Sequence, residues 1–190
     1  MWYSPKTTTA VTAEPITLAQ AKAQVRVEGA DEDTLIGRLI TAARDHVENV
    51  CGQYFAPRTI ETYCDGFCDF ARLEVVPVTS ITAIDYSDTA GSAQVVDDTI
   101  YELRADGLDA SIALKSGNVW PAILPGSRIK VTAVVGSSEV PASVVHAMML
   151  LIGAWFENRE QTAIVGRSIV AELPQSVAVD ALLINHRRGT

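Results

Sequence analysis

The chain contains 190 residues, 48% of them hydrophobic and 20% charged, which is typical of a globular protein of one or two domains. This size excludes a large multidomain enzyme, and the composition excludes a disordered acidic chain. The formal net charge of −8 at pH 7 disfavours a surface that grips nucleic acid, although DNA can slide past an acidic wall without adhering. The apolar run 147–156 is well short of the roughly 20 residues that span a bilayer, and no signal peptide precedes it. We therefore expect an intracellular protein without membrane contact.

The N-terminal residues 1–14 lack helical periodicity, and their large aromatic side chains, Trp2 and Tyr3, lie at the extreme end. This pattern predicts an extended N-terminal arm. A fraying terminus and an arm that docks its aromatic tip on a neighbouring subunit both fit the segment.

Two amphipathic helices follow. Thr17 and Gln20 have the spacing of a capping box, which predicts the start of the first helix, and Gly29 is expected to end it. Acidic residues at 31–33 suit the positive end of a second helix, which we expect to stop at Gly52.

The hydrophobic period changes to two between residues 57 and 136, which predicts a small antiparallel β-domain. A hairpin loop is expected at residues 87–92. The predicted strands include residues 60–64, 73–75, 81–85, 100–104, 112–114 and 129–133.

A long apolar helix is predicted from Pro141, and its apolar residues cover more than one side. With the first two helices it forms a predicted helical core of residues 15–56 and 137–160. Residues 161–190 are predicted to be a loop followed by a C-terminal docking segment. The final helix, starting at Pro174, is apolar all round except for Asp180, so either a deep core or another subunit must surround it.

The C-terminal residues 185–188 form a basic cluster in an acidic chain. Cations are favoured at the C-terminal end of a helix, and this placement alone explains the cluster. A basic tip that docks on acidic groups of a partner explains it equally well.

No catalytic constellation is present, so we expect neither an enzyme nor a cofactor. Phosphate-binding glycine motifs and zinc-protease motifs are absent. Cys64 and Cys68 would need two further ligands to bind zinc, and the three histidines are scattered along the chain. We therefore expect no metal site. Together with Cys51, the two cysteines make three, and this odd number indicates reduced thiols.

A series of motifs, each weak alone, occurs in one order along the chain. They are PITL (15–18), LI (35–36), PVTSITAI (77–84), WP (120–121), VP (140–141), WFENRE (155–160), LP (173–174) and ALL (181–183). In this order the motifs resemble the head-tail connector, or adaptor, proteins of tailed phages and of phage-like gene transfer agents.

This resemblance implies an α+β fold, in which a helical bundle of two N-terminal helices, one long apolar helix and a C-terminal helix carries an inserted small antiparallel β-domain. It also implies a structural protein of the virion neck, made in the bacterial cytoplasm, that forms a ring of about twelve copies. The ring would bind the portal protein on one side and a tail-side stopper or head-completion protein on the other. DNA would pass through its lumen without specific binding.

Three sets of candidate contact residues follow from the apolar segments read beside this resemblance, except that Trp2 and Tyr3 are chosen for their aromatic side chains alone, because residues 1–14 lie outside the resemblance. Portal docking is assigned to Leu182, Leu183, Ile184, His186, Arg187 and Arg188. A subunit interface is assigned to Trp2, Tyr3, Met148, Leu151 and Trp155. Contact with a neighbour or with the tail-side partner is assigned to Ile164, Val165, Ile169 and Val170. The alternatives are another ring protein of the neck, such as a tail-completion protein, and a small-molecule binding module.

Overall fold

The computed structural model describes residues 1–137, 139–158, 163–165, 169–171 and 175–188. In this part of the chain, four helices and antiparallel sheets form an α+β protein, which confirms the predicted class. The chain divides into two compact units. Met1–Thr12 and Ala56–Ser137 form the β unit, and Ala13–Phe55 and Ser138–Thr190 form the helical unit.

The β unit is built around a five-stranded antiparallel sheet. Its strands, in spatial order, are β1 (Lys6–Thr7), β2 (Arg58–Cys64), β7 (Ile129–Val135), β3 (Val78–Ser87) and β4 (Ala93–Val95). Strands β5 (Tyr101–Asp106) and β6 (Asp109–Leu114) pair with each other in a separate sheet. The central strand β7 alternates between buried and half-buried positions, as expected where only one sheet face meets the core.

An aromatic cluster fills the core of the β unit beside a 3₁₀ helix, Phe67–Ala71. The rings of Phe67 and Trp120 stack with centroids 4.6 Å apart, and Phe70 meets Trp120 edge-on at 5.3 Å. The strand predicted at 73–75 is wrong. Leu73 follows the 3₁₀ helix, and its backbone N–H donates to the Ala110 carbonyl at 2.7 Å without a ladder forming. Apolar alternation over three residues cannot distinguish a strand from a buried turn.

The residues predicted as an N-terminal arm contribute a strand to the β unit. Lys6 and Thr7 form β1, which pairs with Glu61 and Ile60 of β2. The hydroxyl group of Thr62 donates to the carbonyl oxygen of Tyr3 at 2.9 Å. These bonds explain why the segment is extended although it has no alternating pattern of its own.

The helical unit begins with α1 (Leu18–Val25), and both hydrogen bonds of the predicted capping box are present. The prediction that Gly29 ends this helix is wrong. Arg26 adopts the left-handed conformation with φ of 54°, and the N–H groups of Arg26 and Val27 donate to the carbonyls of Ala23 and Lys22. This is the bonding pattern of a Schellman motif, and here an arginine takes the position usually held by glycine.

The other helices are α2 (Asp33–Cys51), α3 (Ala142–Glu157) and α4 (Gln175–Leu183). Gly52 ends α2 in the left-handed conformation, as predicted, and a 3₁₀ turn, Ile184–His186, follows α4. Pro174, the predicted helix start, lies outside the described residues. The segment predicted as a loop contains a hairpin of β8 (Ala163–Val165) and β9 (Ile169–Ala171), so that prediction is corrected. β-branched residues favour strands, which accounts for the difference.

The core of the helical unit is contributed by all four helices and the turns beside them. Its buried residues are Ile16, Ala21, Ile36, Ile40, Ala43, Val47, Cys51, Phe55, Val144, Ala147, Met148, Leu151, Ile152, Val179 and Leu183. The C-terminal helix is therefore part of this core. Among the described residues, no helix has the length and apolar character needed to cross a membrane.

Replacing Gly136 with alanine should destabilise the β unit strongly. Its φ is 89°, and an added Cβ would overlap the carbonyl oxygen of Ala56 and lie 2.6 Å from the carbonyl carbon. We expect Gly136→Ala to lower the free energy of unfolding by about 3 kcal/mol or more, from backbone strain and overpacking together. The matched control is Gly91→Ala, where φ is 83° and no atom lies within 4 Å of an added Cβ.

Chemical denaturation of both variants measures the difference. Gly91→Ala should cost about 1–2 kcal/mol because only the left-handed backbone is penalised. Equal losses in the two variants would show that the close approach of residues 56 and 136 is not tight.

Candidate docking surfaces

The C-terminal helix α4 has one buried side and one exposed apolar side. Leu183 is 0% exposed and Val179 is also buried, so these residues hold the helix to the core. On the other side, Val177 is 75% exposed and Ala181 is exposed as well, and Ile184, the first residue of the 3₁₀ turn after α4, is 63% exposed. Val177, Ala181 and Ile184 follow one another at spacings of four and three, and we call them the outer stripe. This exposed apolar stripe is the candidate interaction surface of the C-terminal segment.

Three hydrogen bonds attach the residues after α4 to the rest of the helical unit. The side-chain amide of Gln53 donates to the carbonyl oxygen of His186 at 2.5 Å. The backbone N–H of Arg188 donates to the carbonyl oxygen of Cys51 at 2.8 Å. The hydroxyl oxygen of Ser143 lies 2.7 Å from Nε2 of His186. The C-terminus is thus fixed against the ends of α2 and α3.

A buried ion pair supports the turn that provides two of these attachment points. The Nη1 atom of Arg44 lies 3.3 Å from Oε2 of Glu48, and both side chains are buried. The Nε atom of Arg44 also donates to Oε2 of Glu14 at 2.8 Å, and Oε1 of Glu48 accepts the N–H of Phe55 at 2.8 Å. These bonds fix the chain after α2, which includes Gln53.

The residues predicted to dock on the portal occupy three different environments. Leu183 lies in the core and Leu182 packs partly against it, whereas Ile184 is exposed. The Nη2 atom of Arg187 pairs with Oδ1 of Asp180 at 2.7 Å at the surface. His186 and Arg188 make the attachments described above.

Sequence reasoning did not include Val177 and Ala181 among the docking residues. Their spacing from Ile184 was the available signal, since residues four and three apart share a helix face. The segment is apolar on nearly every side, however, so the sequence alone could not show which side is buried.

The predicted subunit-interface residues are mostly packed within their own units. Met148 and Leu151 lie in the helical core, and Trp155 is half-buried, with its ring edge-on to His46 at 6.0 Å. The indole N–H of Trp2 donates to the carbonyl oxygens of Asp69 and Arg72 at 3.1 and 2.8 Å. Tyr3 is half-buried, and its hydroxyl donates to Oδ1 of Asp65 at 2.9 Å.

The four apolar residues assigned to the loop fall in β8 and β9. Ile164 pairs with Val170, and Val165 pairs with Ile169. The structure therefore brings these four residues together, as two cross-strand pairs of one antiparallel hairpin.

The thiols and other potential metal ligands form no site in the described part of the chain, where no group of three or more could hold a metal ion. Burial raises the pKa of Cys51 to about 11 and that of Cys64 to about 12, so both remain protonated thiols at neutral pH. Cys68 is exposed. All three cysteines are free, and the two buried ones serve as small core residues.

A surface cavity of about 430 Å³ lies beside β5 and β6, and it is the place where a small-molecule binding module of the β unit would hold its ligand. Its cations already have acidic partners, because Arg72 lies 3.5 Å from Asp109 and Arg104 lies 2.7 Å from Glu102. Both arginines of the cavity are therefore already paired with carboxylates. It is lined by Ala71, Arg72, Arg104, Ala105, Asp106, Asp109, Ala110 and Ser111.

Comparison with known families gives a match to the head completion protein family over residues 14–188. The chain belongs to this family. Its membership confirms the resemblance found in the sequence motifs. The protein is a structural head-tail connector, located at the head-tail interface of a phage or phage-like particle.

Solved structures of gene transfer agents contain similar chains. A chain from the neck of an empty particle, computed with C6 symmetry, and a chain from a native virion each give a TM-score of 0.79 at 22% identity. A chain from the neck of a native particle, computed with C12 symmetry, gives 0.75 at 20% identity. Each comparison covers 99% of this chain and 97% of the other, and shows a shared fold. No curated protein sequence matches the chain significantly.

For this head completion protein, neighbouring residues of the C-terminus should differ sharply in their effect on stability. We expect Leu183→Ala to lower the free energy of unfolding by about 2–5 kcal/mol, because it leaves a cavity in the core. Ile184→Ala should change it by no more than about 0.5 kcal/mol, because this side chain is exposed. Denaturant melts of both variants test the assignment, and a similar loss in each would contradict the two-sided description of α4.

Proposed function

We propose that this protein acts as a non-enzymatic adaptor, forming a ring of about twelve copies beneath the portal and joining head to tail. The observation that carries the proposal is the match to the head completion family over residues 14–188. The similar chains in gene transfer agent necks, computed with C6 and C12 symmetry, support a ring. Both symmetries are compatible with twelve subunits.

In the proposed subunit the four helices form a bundle with α3 as its apolar helix, and residues 56–137 of the β unit are inserted in the chain between α2 and α3. The proposed domains are an arm at 1–14, a helical core at 15–56 and 137–160, a β-domain at 57–136 and a docking segment at 161–190. The tight attachment of residues 186 and 188 supports a docking segment that is already held in place before assembly.

Portal docking is proposed for the exposed part of the C-terminal segment. The outer stripe offers apolar contact, and Arg187 beside it is the basic residue that an acidic portal surface would meet. Three side chains bury far less than the roughly 800 Å² per partner of a stable complex. A ring presents many identical sites at once, so multivalent binding raises the overall affinity although each site buries little area.

Neighbouring subunits are proposed to meet through the half-buried Trp155 and through the β8–β9 hairpin. Met148 and Leu151 are left out of this interface because their side chains are already buried. Trp2 and Tyr3 are proposed to contribute only the surface that remains exposed in the β unit. The tail-side partner is a stopper protein, which would bind the opposite side of the ring.

DNA is proposed to pass through the lumen without sequence-specific contacts. The net charge of −8 supports this, because an acidic wall repels phosphate and prevents adhesion. Particle assembly requires passage and not binding.

The mass of the purified chain in solution tests the proposal when it is measured alone, with the portal protein and with tail tubes of the same particle. We expect a ring of about twelve copies on each portal. A chain that ignores the portal and binds tail tubes would instead indicate a tail-completion protein. A chain that remains monomeric with both partners would contradict a neck ring altogether.

Charge introduced into the outer stripe should block portal docking without unfolding the protein. We expect Val177→Asp and Ile184→Asp to weaken portal binding at least tenfold, because each places an unpaired carboxylate in an apolar contact. Thermal melting should stay close to that of the unmodified chain, since both side chains are exposed. Val119→Asp is the matched control, because Val119 is equally exposed but belongs to the β unit.

Sedimentation of the mixtures with portal measures the effect. Unchanged portal binding by both stripe variants would rule out the stripe as the docking surface. A similar loss in Val119→Asp would show that added charge alone is responsible.

A further inference from the structure

The strands at the margins of the β unit differ in how well they are protected against pairing with another chain. β1 has only two residues, one of them Lys6, and Pro5 precedes it. β5 carries Glu102, Arg104 and Asp106. Lysine, proline and other charged residues are common means of protecting sheet edges. β4, with the sequence Ala-Gln-Val, has none of them.

The outer edge of β4 presents backbone groups that no described residue bonds. Gln94 lies opposite Tyr86, and the N–H of Val96 donates to the carbonyl of Ile84 at 2.9 Å. Because antiparallel residues alternate between bonded and non-bonded pairs, the N–H groups of Ala93 and Val95 point away from β3. Val95 is also 62% exposed. β4 can therefore accept a further strand.

The β8–β9 hairpin has the complementary requirement. It forms a sheet of two strands that pairs with no other described strand. A hairpin of two short strands is marginally stable in water and gains stability when a third strand is added. Each strand has three residues, as β4 does, and neither contains a charged residue.

The edge of β4 could accept either the β4 strand or the β8–β9 hairpin of another copy, and the charges at the ends of β4 distinguish between them. Asp88, Asp97 and Asp98 flank the strand; Asp97 and Asp98 are exposed, and Asp88 is half-buried. Two β4 strands side by side would bring these carboxylates together, which is unfavourable. The uncharged strands of the hairpin avoid this repulsion.

We propose that the β8–β9 hairpin of one copy adds to the edge of β4 in the next copy, so that the two sheets become continuous between subunits. The inference rests on the proposed ring and identifies the contact that closes it. The hairpin and the β4 edge are different surfaces of the subunit, as required for a head-to-tail contact that repeats around a ring. Outward backbone groups of β4 supply the hydrogen bonds.

Disulfide trapping in assembled rings tests this contact. Two double variants, Val95→Cys with Ile164→Cys and Val95→Cys with Val170→Cys, cover addition through β8 or through β9. Both carry Cys68→Ser, and the buried Cys51 and Cys64 stay unreactive because burial raises the pKa of each thiol. Paired strands bring Cβ atoms to about 5 Å, within reach of a disulfide after small adjustment.

We expect mild oxidation of portal-bound rings to give a ladder of linked dimers, trimers and larger species from one double variant. Variants that carry only one of the two introduced cysteines should remain monomeric under denaturing conditions. Rings that form normally but give no ladder with either double variant would overturn the contact and leave the ring intact. Failure of the unmodified chain to form rings would instead remove the proposed function, and this contact with it.

A proline at the outer edge provides an independent measurement. Val95→Pro removes an N–H that points away from β3, so the melting temperature should change little, whereas ring formation should be lost. The control Val95→Thr keeps both the N–H and the β-branched shape and should form rings. Normal rings from Val95→Pro would overturn the inference.

Discussion

Burial of α3 is the constraint on which the helical unit depends. Its inward residues include Val144, Met148 and Ile152, and the helix packs against α1, α2 and α4. Each fully buried side chain of this kind contributes about 1.5–3 kcal/mol relative to exposure. A helix as short as α4 is unstable alone, so its position is set by this packing. The residues of α4 are consequently structural elements of the core, and the docking role proposed for its exposed side is additional to this.

Polar contacts fix the residues that follow α4. The Arg44–Glu48 pair fixes the turn after α2, and Gln53 in that turn binds the carbonyl of His186. Breaking a buried pair leaves an uncompensated charge and is more costly than never having formed it. The pair therefore helps to fix the residues that follow α4, among them His186. Apolar packing alone would hold α4 against the core without fixing the residues that follow it.

Local signals in the sequence predicted the fold well wherever one residue type dictates the backbone. The capping box of α1 and the stop at Gly52 are of this kind. Hydrophobic alternation predicted the strands β2, β3 and β7 but not which of them pair. Arg26 shows the limit, because hydrogen bonds to the preceding turn can hold a non-glycine residue left-handed. The contact surfaces were harder to predict. An almost wholly apolar segment does not reveal which side is buried, and the pairing of residues 163–165 with 169–171 needs a register that composition does not contain.

The proposed contacts share the property of being weak in a single copy. A three-residue strand edge forms only a few hydrogen bonds, each worth about 1 kcal/mol net. Association of two free copies loses about 4–15 kcal/mol of translational and rotational freedom, so such an edge cannot join them alone. Repulsion between acidic chains adds to this barrier. In the proposed assembly, a portal that holds several copies side by side would remove most of the entropic loss for each further contact, and would thereby control the timing of ring closure.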